Sequence, residues 1–170
     1  NGCKTLQIGK EIAQGMGAGA NPEVGEKAAR ESIDDIDKIL DGTDLVFLTA
    51  GMGGGTGTGA IPVIAEEAKR RGILTVGVVT TPFTFEGKLR SVRAEMGIER
   101  LKPNVNALII ISNNELLAST TTNVSILNAF KLTDDVLRQA IESITDLINS
   151  VGTINVDFAD VKTVLSYEGY

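Results

Sequence analysis

Histidine is absent from this chain, and cysteine occurs once, at Cys3. The first absence removes imidazole general bases and imidazole metal ligands from the residues present. Any metal would have to be held by oxygen, which points to magnesium or a similar hard cation. The second excludes an intrachain disulfide framework and suits a reducing compartment. Basic charge is in the minority, with 16 Lys and Arg against 22 Asp and Glu, for a net charge of −6. That balance disfavours nonspecific nucleic-acid binding, and no long basic stripe offsets it. Lys88, Arg90, Arg93, Arg100 and Lys102 read as a solvated helix face. No apolar run approaches the length of a membrane span, and no signal peptide opens the chain. Direct membrane insertion is therefore not expected. The first residue is Asn rather than Met, and the expectation is of a piece cut from a longer chain. At 170 residues, 42% of them hydrophobic, the piece is long enough for one domain with a true core.

Glycine is where the composition concentrates. Residues 51–59 read Gly-Met-Gly-Gly-Gly-Thr-Gly-Thr-Gly, six glycines in nine positions. The stretch follows the apolar run Leu45-Val46-Phe47-Leu48 and precedes a helical pattern carrying Ile61, Ile64, Ala65 and Ala68. A strand, a loop without side chains and a helix N-terminus form a cradle for an anion, because backbone N–H groups can crowd around it. Thr56 and Thr58 add hydroxyl donors. No Lys or Arg lies between Lys38 and Lys69, so this is not a Walker A loop, which needs a lysine after its second glycine. The dinucleotide fingerprint fits only in its loosest form, and the acidic residue expected after a second strand is missing. Tight helix–strand packing alone is the competing explanation for the glycines.

Around this loop, strands alternate with helices. Short strands are expected at 5–8, 45–49, 73–80 and 107–111, the third and fourth as continuous apolar, β-branched runs of buried parallel type. A second glycine-rich loop spans 15–20. Asn21 and Pro22 open a helix whose apolar positions Ala29, Ile33, Ile36 and Leu40 run to a stop at Gly42. Further helices are expected over 87–101, 115–118 and about 124–131. Thr133 is expected to cap a long helix, 133–149, and Asp157 a last one. The fold class is therefore α/β, a Rossmann-like parallel sheet with helices on both faces.

Ligands of such sheets sit beyond the carboxyl ends of the strands. Glu86 can accept from two ribose hydroxyls, although Arg90 one turn later makes a surface ion pair the simpler reading. Asn113 offers a donor and an acceptor to a base edge, or is only a turn residue. Asp134 and Asp135 suit a helix first turn, and an acid that reads a base would stand in the same place. Asn155, Asp157 and Asp160 are ordinary helix-start chemistry or a set of groups that polarise water.

Four segments together resemble one family. Thr49 to Ala60 is similar to the signature loop of the tubulin/FtsZ GTPases. Residues 16–25, 82–90 and 155–161 resemble the FtsZ branch in order and spacing. The resemblance implies GTP or GDP as ligand, with Gly53, Gly54, Gly55, Thr56, Gly57 and Thr58 at the phosphates and Ala18, Gly19 and Ala20 near the terminal phosphate. It implies Glu86 and Arg90 at the ribose, Asn113 and Asp135 at the guanine edge, and Phe130 stacked on the base. It implies that Asn155, Asp157 and Asp160 act catalytically on the nucleotide of a neighbouring subunit in a head-to-tail filament, with magnesium present. Residues 1–150 would then be a partial GTP-binding domain including the long helix. Residues 151–170 would be the loop that reaches the neighbour, with its following helix. Cell division at mid-cell, in a cytoplasm or an organelle interior, and contact with other division proteins are the implied setting. The family's first strand and glycine loop, and its second domain, would lie outside this piece, which alone is then expected not to hydrolyse GTP. Ala140 and Ser143 stand where the family often has glycine, and Asn114 where it often has Asp. Two alternatives remain open on sequence: a non-catalytic polymer-interaction module, and a nicotinamide-dependent oxidoreductase.

Overall fold

The computed structural model describes residues 5–120 and 125–151. Its centre is a parallel sheet of three strands in the order β1 (Leu45–Gly51), β2 (Leu74–Thr81) and β3 (Ala107–Ser112). Central β2 is the most buried, with Val76, Val78 and Val79 fully enclosed. Side chains alternate along each strand. Leu45 and Phe47, Val76 and Val78, and Ala107, Ile109 and Ile111 face one helix, α6 (Ile126–Val151), through Leu137, Ala140, Ile141 and Ile144. Leu48 and Ala50, Val79, and Leu108 and Ile110 face α3 (Thr56–Arg70) and α4 (Lys88–Leu101) through Ile61, Ala65, Ala94, Ile98 and Leu101. Burying each of these large aliphatic side chains is worth about 1.5–3 kcal/mol. The expected architecture, a parallel sheet covered on both faces, is the one observed.

Three expectations are corrected. Residues 5–8 form no strand. No described strand pairs with them to form a ladder, and Leu6 and Ile8 instead pack on a cluster that includes Ala29, Ile36 and Leu40. The helix expected from Pro22 to Leu40 is two helices, α1 (Pro22–Glu31) and α2 (Ile33–Leu40), broken at Ser32 with φ −101° and ψ 19°. The buried Ser32 hydroxyl accepts from the Gly9 N–H at 3.0 Å, which ties the incoming segment to the break. The helices expected at 124–131 and 133–149 are one. Thr133 does not cap α6 but lies inside it, its hydroxyl 3.2 Å from the Ala129 carbonyl, a back-bond that β-hydroxyl residues make within helices. The short helix after β3, α5, spans Asn113–Ala118.

Candidate functional site

The carboxyl ends of all three strands open on one cleft of about 240 Å³, lined among others by Gly51, Met52, Gly54, Thr80, Pro82, Asn113 and residues of α6. The floor is the glycine loop. Its start is fixed to the sheet, because the Met52 N–H donates to the Thr80 carbonyl at 2.9 Å. Gly53 follows at φ +110°, a conformation that side chains disfavour, and a Cβ there would sit 2.8 Å from the Arg90 carbonyl oxygen. The Gly53 N–H donates to the Thr58 hydroxyl oxygen at 2.8 Å, and Thr58 is only 2% exposed. Gly55 is held by close approach, since a Cβ would meet Ala18 Cβ and the Asn21 nitrogen, each at 2.7 Å.

Gly54 is different. Its φ is not positive, and nothing lies within 4 Å of where its Cβ would be. Neither a positive φ nor packing among the described residues accounts for glycine here, and the residue lines the cleft. Next to it, α3 begins without a side-chain cap and without an acidic residue in its first turn. The contrast is α1, where Asn21 Oδ1 accepts from the Glu23 N–H at 3.0 Å. An uncapped helix start leaves N–H donors and the positive dipole end available to an anion.

The opposite wall is built for a polar edge. Asn113, the residue after β3, is 4% exposed, and its Oδ1 lies 3.0 Å from the Thr133 hydroxyl. Phe130, Thr133, Asp134 and Leu137 share one face of α6 at helical spacing and all line the cleft. Phe130, 39% exposed, meets Phe83 and Phe85 edge-on at centroid distances of 5.4 and 6.1 Å, while Phe83 and Phe85 stack at 4.8 Å. Glu86 and Arg90 both line the cleft and form an ion pair at 2.8 Å. Glu86 Oε2 also accepts from the Phe83 N–H at 2.8 Å, so this carboxylate holds the turn after β2 as well as the arginine.

The other expected site residues fall as follows. Ala18, Gly19 and Ala20 flank the glycine loop beside Gly55 and do not line the cleft. Thr56 faces that flanking loop, with Gly17 and Ala18 near it. Thr58 is committed to Gly53 from beneath, so it supports the loop instead of presenting a hydroxyl above it. Asp135 is turned away from the cleft, about 100° around the helix from Asp134, and its carboxylate lies 3.7 Å from Arg138. Asp134 takes the cleft-facing place that was expected of Asp135. Asn155, Asp157 and Asp160 lie outside the described residues. Thr80 is a cleft residue that the sequence did not single out, and Thr133 and Asp134, expected as a helix cap and as one of two first-turn acids, also line the cleft. The signal that finds the last two is helical phase, since they stand three and four residues after Phe130.

A parallel sheet with helices on both faces, a bare glycine loop leading into an uncapped helix, and a polar cleft at the strand ends make an α/β domain with a candidate anion-binding loop. Comparison with known proteins narrows this. The tubulin/FtsZ family, GTPase domain, matches residues 2–121, and the chain belongs to that family. The cell division protein FtsZ of Wigglesworthia glossinidia brevipalpis is 58% identical over 167 residues, which cover 98% of this chain and 44% of that protein. The chain thus spans less than half the length of that curated relative. A solved FtsZ dimer of M. jannaschii, described as empty, superposes with a TM-score of 0.86 at 48% identity, covering 94% of this chain and 46% of that one. CetZ1 of Haloferax volcanii, solved as a GDP-bound monomer, superposes with a TM-score of 0.67 at 26% identity over 77% of this chain and 41% of that one.

Proposed function

We propose that this chain is the nucleotide-binding part of a GTP-hydrolysing cell-division protein that assembles head-to-tail into filaments. The observation that carries the reading is Gly54. It is the glycine of the loop that neither a positive φ nor contacts among the described residues explain, and it lines one cleft with Asn113 and Asp134. Phosphates would lie on the backbone N–H groups of residues 54–57 at the α3 N-terminus. The base would lie against Asn113, Asp134 and Phe130. Asp134 would accept from the guanine N1–H and N2 amino group, which adenine does not offer in that arrangement. The Glu86–Arg90 pair would stand at the ribose.

No lysine neutralises the phosphates, so backbone dipoles and magnesium would share that charge. Among the described residues no group of three or more Cys, Asp or Glu is clustered for a metal. Phosphate oxygens and water would therefore supply most of the magnesium shell, as is common for this ion. Stabilisation of charge on the transferring phosphoryl group is the main work of such a site. Asn155, Asp157 and Asp160 would position the attacking water in a neighbouring subunit's site. Support for self-assembly comes from the M. jannaschii FtsZ dimer. Among the described residues no helix is long and apolar enough to cross a membrane.

Thermal-shift titration with GTP and, separately, with a nicotinamide dinucleotide tests the ligand class. GTP should raise the melting temperature and the dinucleotide should not; the reverse would overturn the reading. Mixing Asp157→Ala protein into unaltered protein tests shared catalysis. Hydrolysis should fall more steeply than the fraction of variant, whereas simple proportional dilution would show that each subunit acts alone.

A further inference from the structure

Gly97 is buried inside α4. Glycine in a helix interior costs about 1 kcal/mol relative to alanine and calls for a reason. The reason here is close approach. A Cβ on Gly97 would meet the Thr58 methyl carbon, Cγ2, at 2.5 Å and the Met52 terminal methyl, Cε, at 2.7 Å. These two residues flank the glycine loop. Met52 directly precedes Gly53, and Thr58 stands in the first turn of α3.

The two contacts are not equally forgiving. Methionine is unbranched and bends away at little cost. Threonine is stiff, and its methyl and hydroxyl leave the same Cβ, so one torsion moves both. The methyl sits against Gly97 while the hydroxyl oxygen accepts from the Gly53 N–H at 2.8 Å. Turning the methyl away from Gly97 therefore carries the hydroxyl away from Gly53. Moving α4 outward instead withdraws the Arg90 carbonyl, whose oxygen stands 2.8 Å from where a Gly53 Cβ would be. Both ways of making room at Gly97 end at the same loop residue. We propose that Gly97 is a positioning residue for the glycine loop: its missing side chain seats Thr58 in the rotamer that holds the Gly53 N–H, and so sets the loop in the shape that receives phosphate. This rests on the loop being a phosphate site. Gly97 itself does not line the cleft, and it acts through Thr58.

Gly97→Ala, in the full chain, tests this with two readouts. Amide hydrogen exchange reads the bond without any ligand: the Gly53 N–H should exchange roughly tenfold faster. Competition against a fluorescent guanine nucleotide reads the consequence. GTP and GDP should bind roughly tenfold more weakly, while guanosine, which carries no phosphate, should bind as before. Adding Thr58→Ser to Gly97→Ala removes the methyl and keeps the hydroxyl, so the double variant should recover both signals. A purely structural loss of packing would be deepened by deleting that methyl, not repaired. Unchanged Gly53 exchange, equal losses for GTP and guanosine, or a double variant worse than the single one would each overturn the proposal. If Gly97→Ala does not fold, Thr58→Val decides, since it keeps the contact with Gly97 and removes the acceptor. GTP affinity should then fall while guanosine affinity holds, and an unchanged GTP affinity would overturn the proposal. If the unaltered chain binds no guanine nucleotide, the nucleotide reading fails and the role assigned to Gly97 fails with it, a result distinct from an unchanged exchange rate at Gly53.

Discussion

The backbone N–H of Gly53 donates to the buried hydroxyl oxygen of Thr58, 2.8 Å away and five residues later in the chain. The bond pins the first turn of the glycine loop onto the first turn of α3. The loop's shape is therefore supported from below by the same helix whose N-terminus it uncovers. Thr58→Val keeps the volume but strands a buried N–H, which costs about 1–3 kcal/mol. Urea denaturation should show that loss, and Thr58→Ser should recover most of it. Equal stability of the Val and Ser variants would show that the bond contributes nothing.

Asp134 and Asp135 separate cleanly by helix phase. Asp134→Ala should weaken GTP binding about tenfold or more, as expected for losing a hydrogen bond to a charged acceptor. Asp135→Ala removes only an exposed contact with Arg138, 3.7 Å away, and should change binding little. Equilibrium binding of the two variants decides, and a larger loss for Asp135→Ala would reverse the assignment.

Ala20 holds φ +59° in the loop beside Gly55. A left-handed backbone strains an L-residue by about 1–2 kcal/mol, partly offset for glycine by a freer unfolded chain. Ala20→Gly should therefore stabilise the protein by roughly 0.5–1 kcal/mol. A lower melting temperature for Ala20→Gly would contradict this.

Asp37 on α2 and Glu67 on α3 face each other, with Arg70 bridging both and Arg71 3.4 Å from Asp37. The hydrogen bond with Glu67, then burial, then the charge of Glu67 raise the Asp37 carboxyl above its ordinary value, against the opposing pull of Arg71. The hydrogen bond from Arg70 holds Glu67 below its ordinary value despite partial burial. For Asp37 the native state binds its proton more readily than the unfolded chain does. Its contribution is thus present below the unfolded pKa and lost as pH rises through the folded one. Glu67 has the opposite sign: its contribution is present above the unfolded value and lost as pH falls through the depressed folded one. Asp37→Asn should then gain melting temperature relative to the unaltered protein as pH rises from the acid range to neutrality. A difference that stays constant with pH would show that the pair does not titrate in this way.

Much of this architecture is legible from periodicity. The β-branched run of β2 and the apolar spacing of α3, α4 and α6 announce themselves because burial repeats with the helix or strand period. The failures are pairwise events that periodicity does not carry. A strand at 5–8 needs a neighbour to bond to, and its apolar alternation says nothing about whether one is there. Ser32 interrupts a good helical pattern because a distant Gly9 N–H reaches its hydroxyl. Thr133 looks like a cap, yet a bond to Ala129 lets it sit within a helix while the same hydroxyl reaches Asn113, twenty residues back. In the site, glycine density pointed to the right loop but could not sort its members. Gly53 and Gly55 answer to the chain's own geometry, and Gly54 alone of the three is left open.

That distinction gives the most direct measurement of the central claim. A side chain at Gly54 enters open space in the cleft, so Gly54→Val should leave folding intact while occupying the ground where phosphates would lie. Calorimetric titration of this variant with GTP and magnesium, beside its thermal unfolding, is the test. The expected result is an unchanged melting temperature with affinity reduced roughly 10- to 100-fold, the scale of one charge-assisted hydrogen bond lost to steric exclusion. Unchanged GTP affinity in a folded Gly54→Val protein would contradict the account, because the glycine loop would then not be the phosphate site.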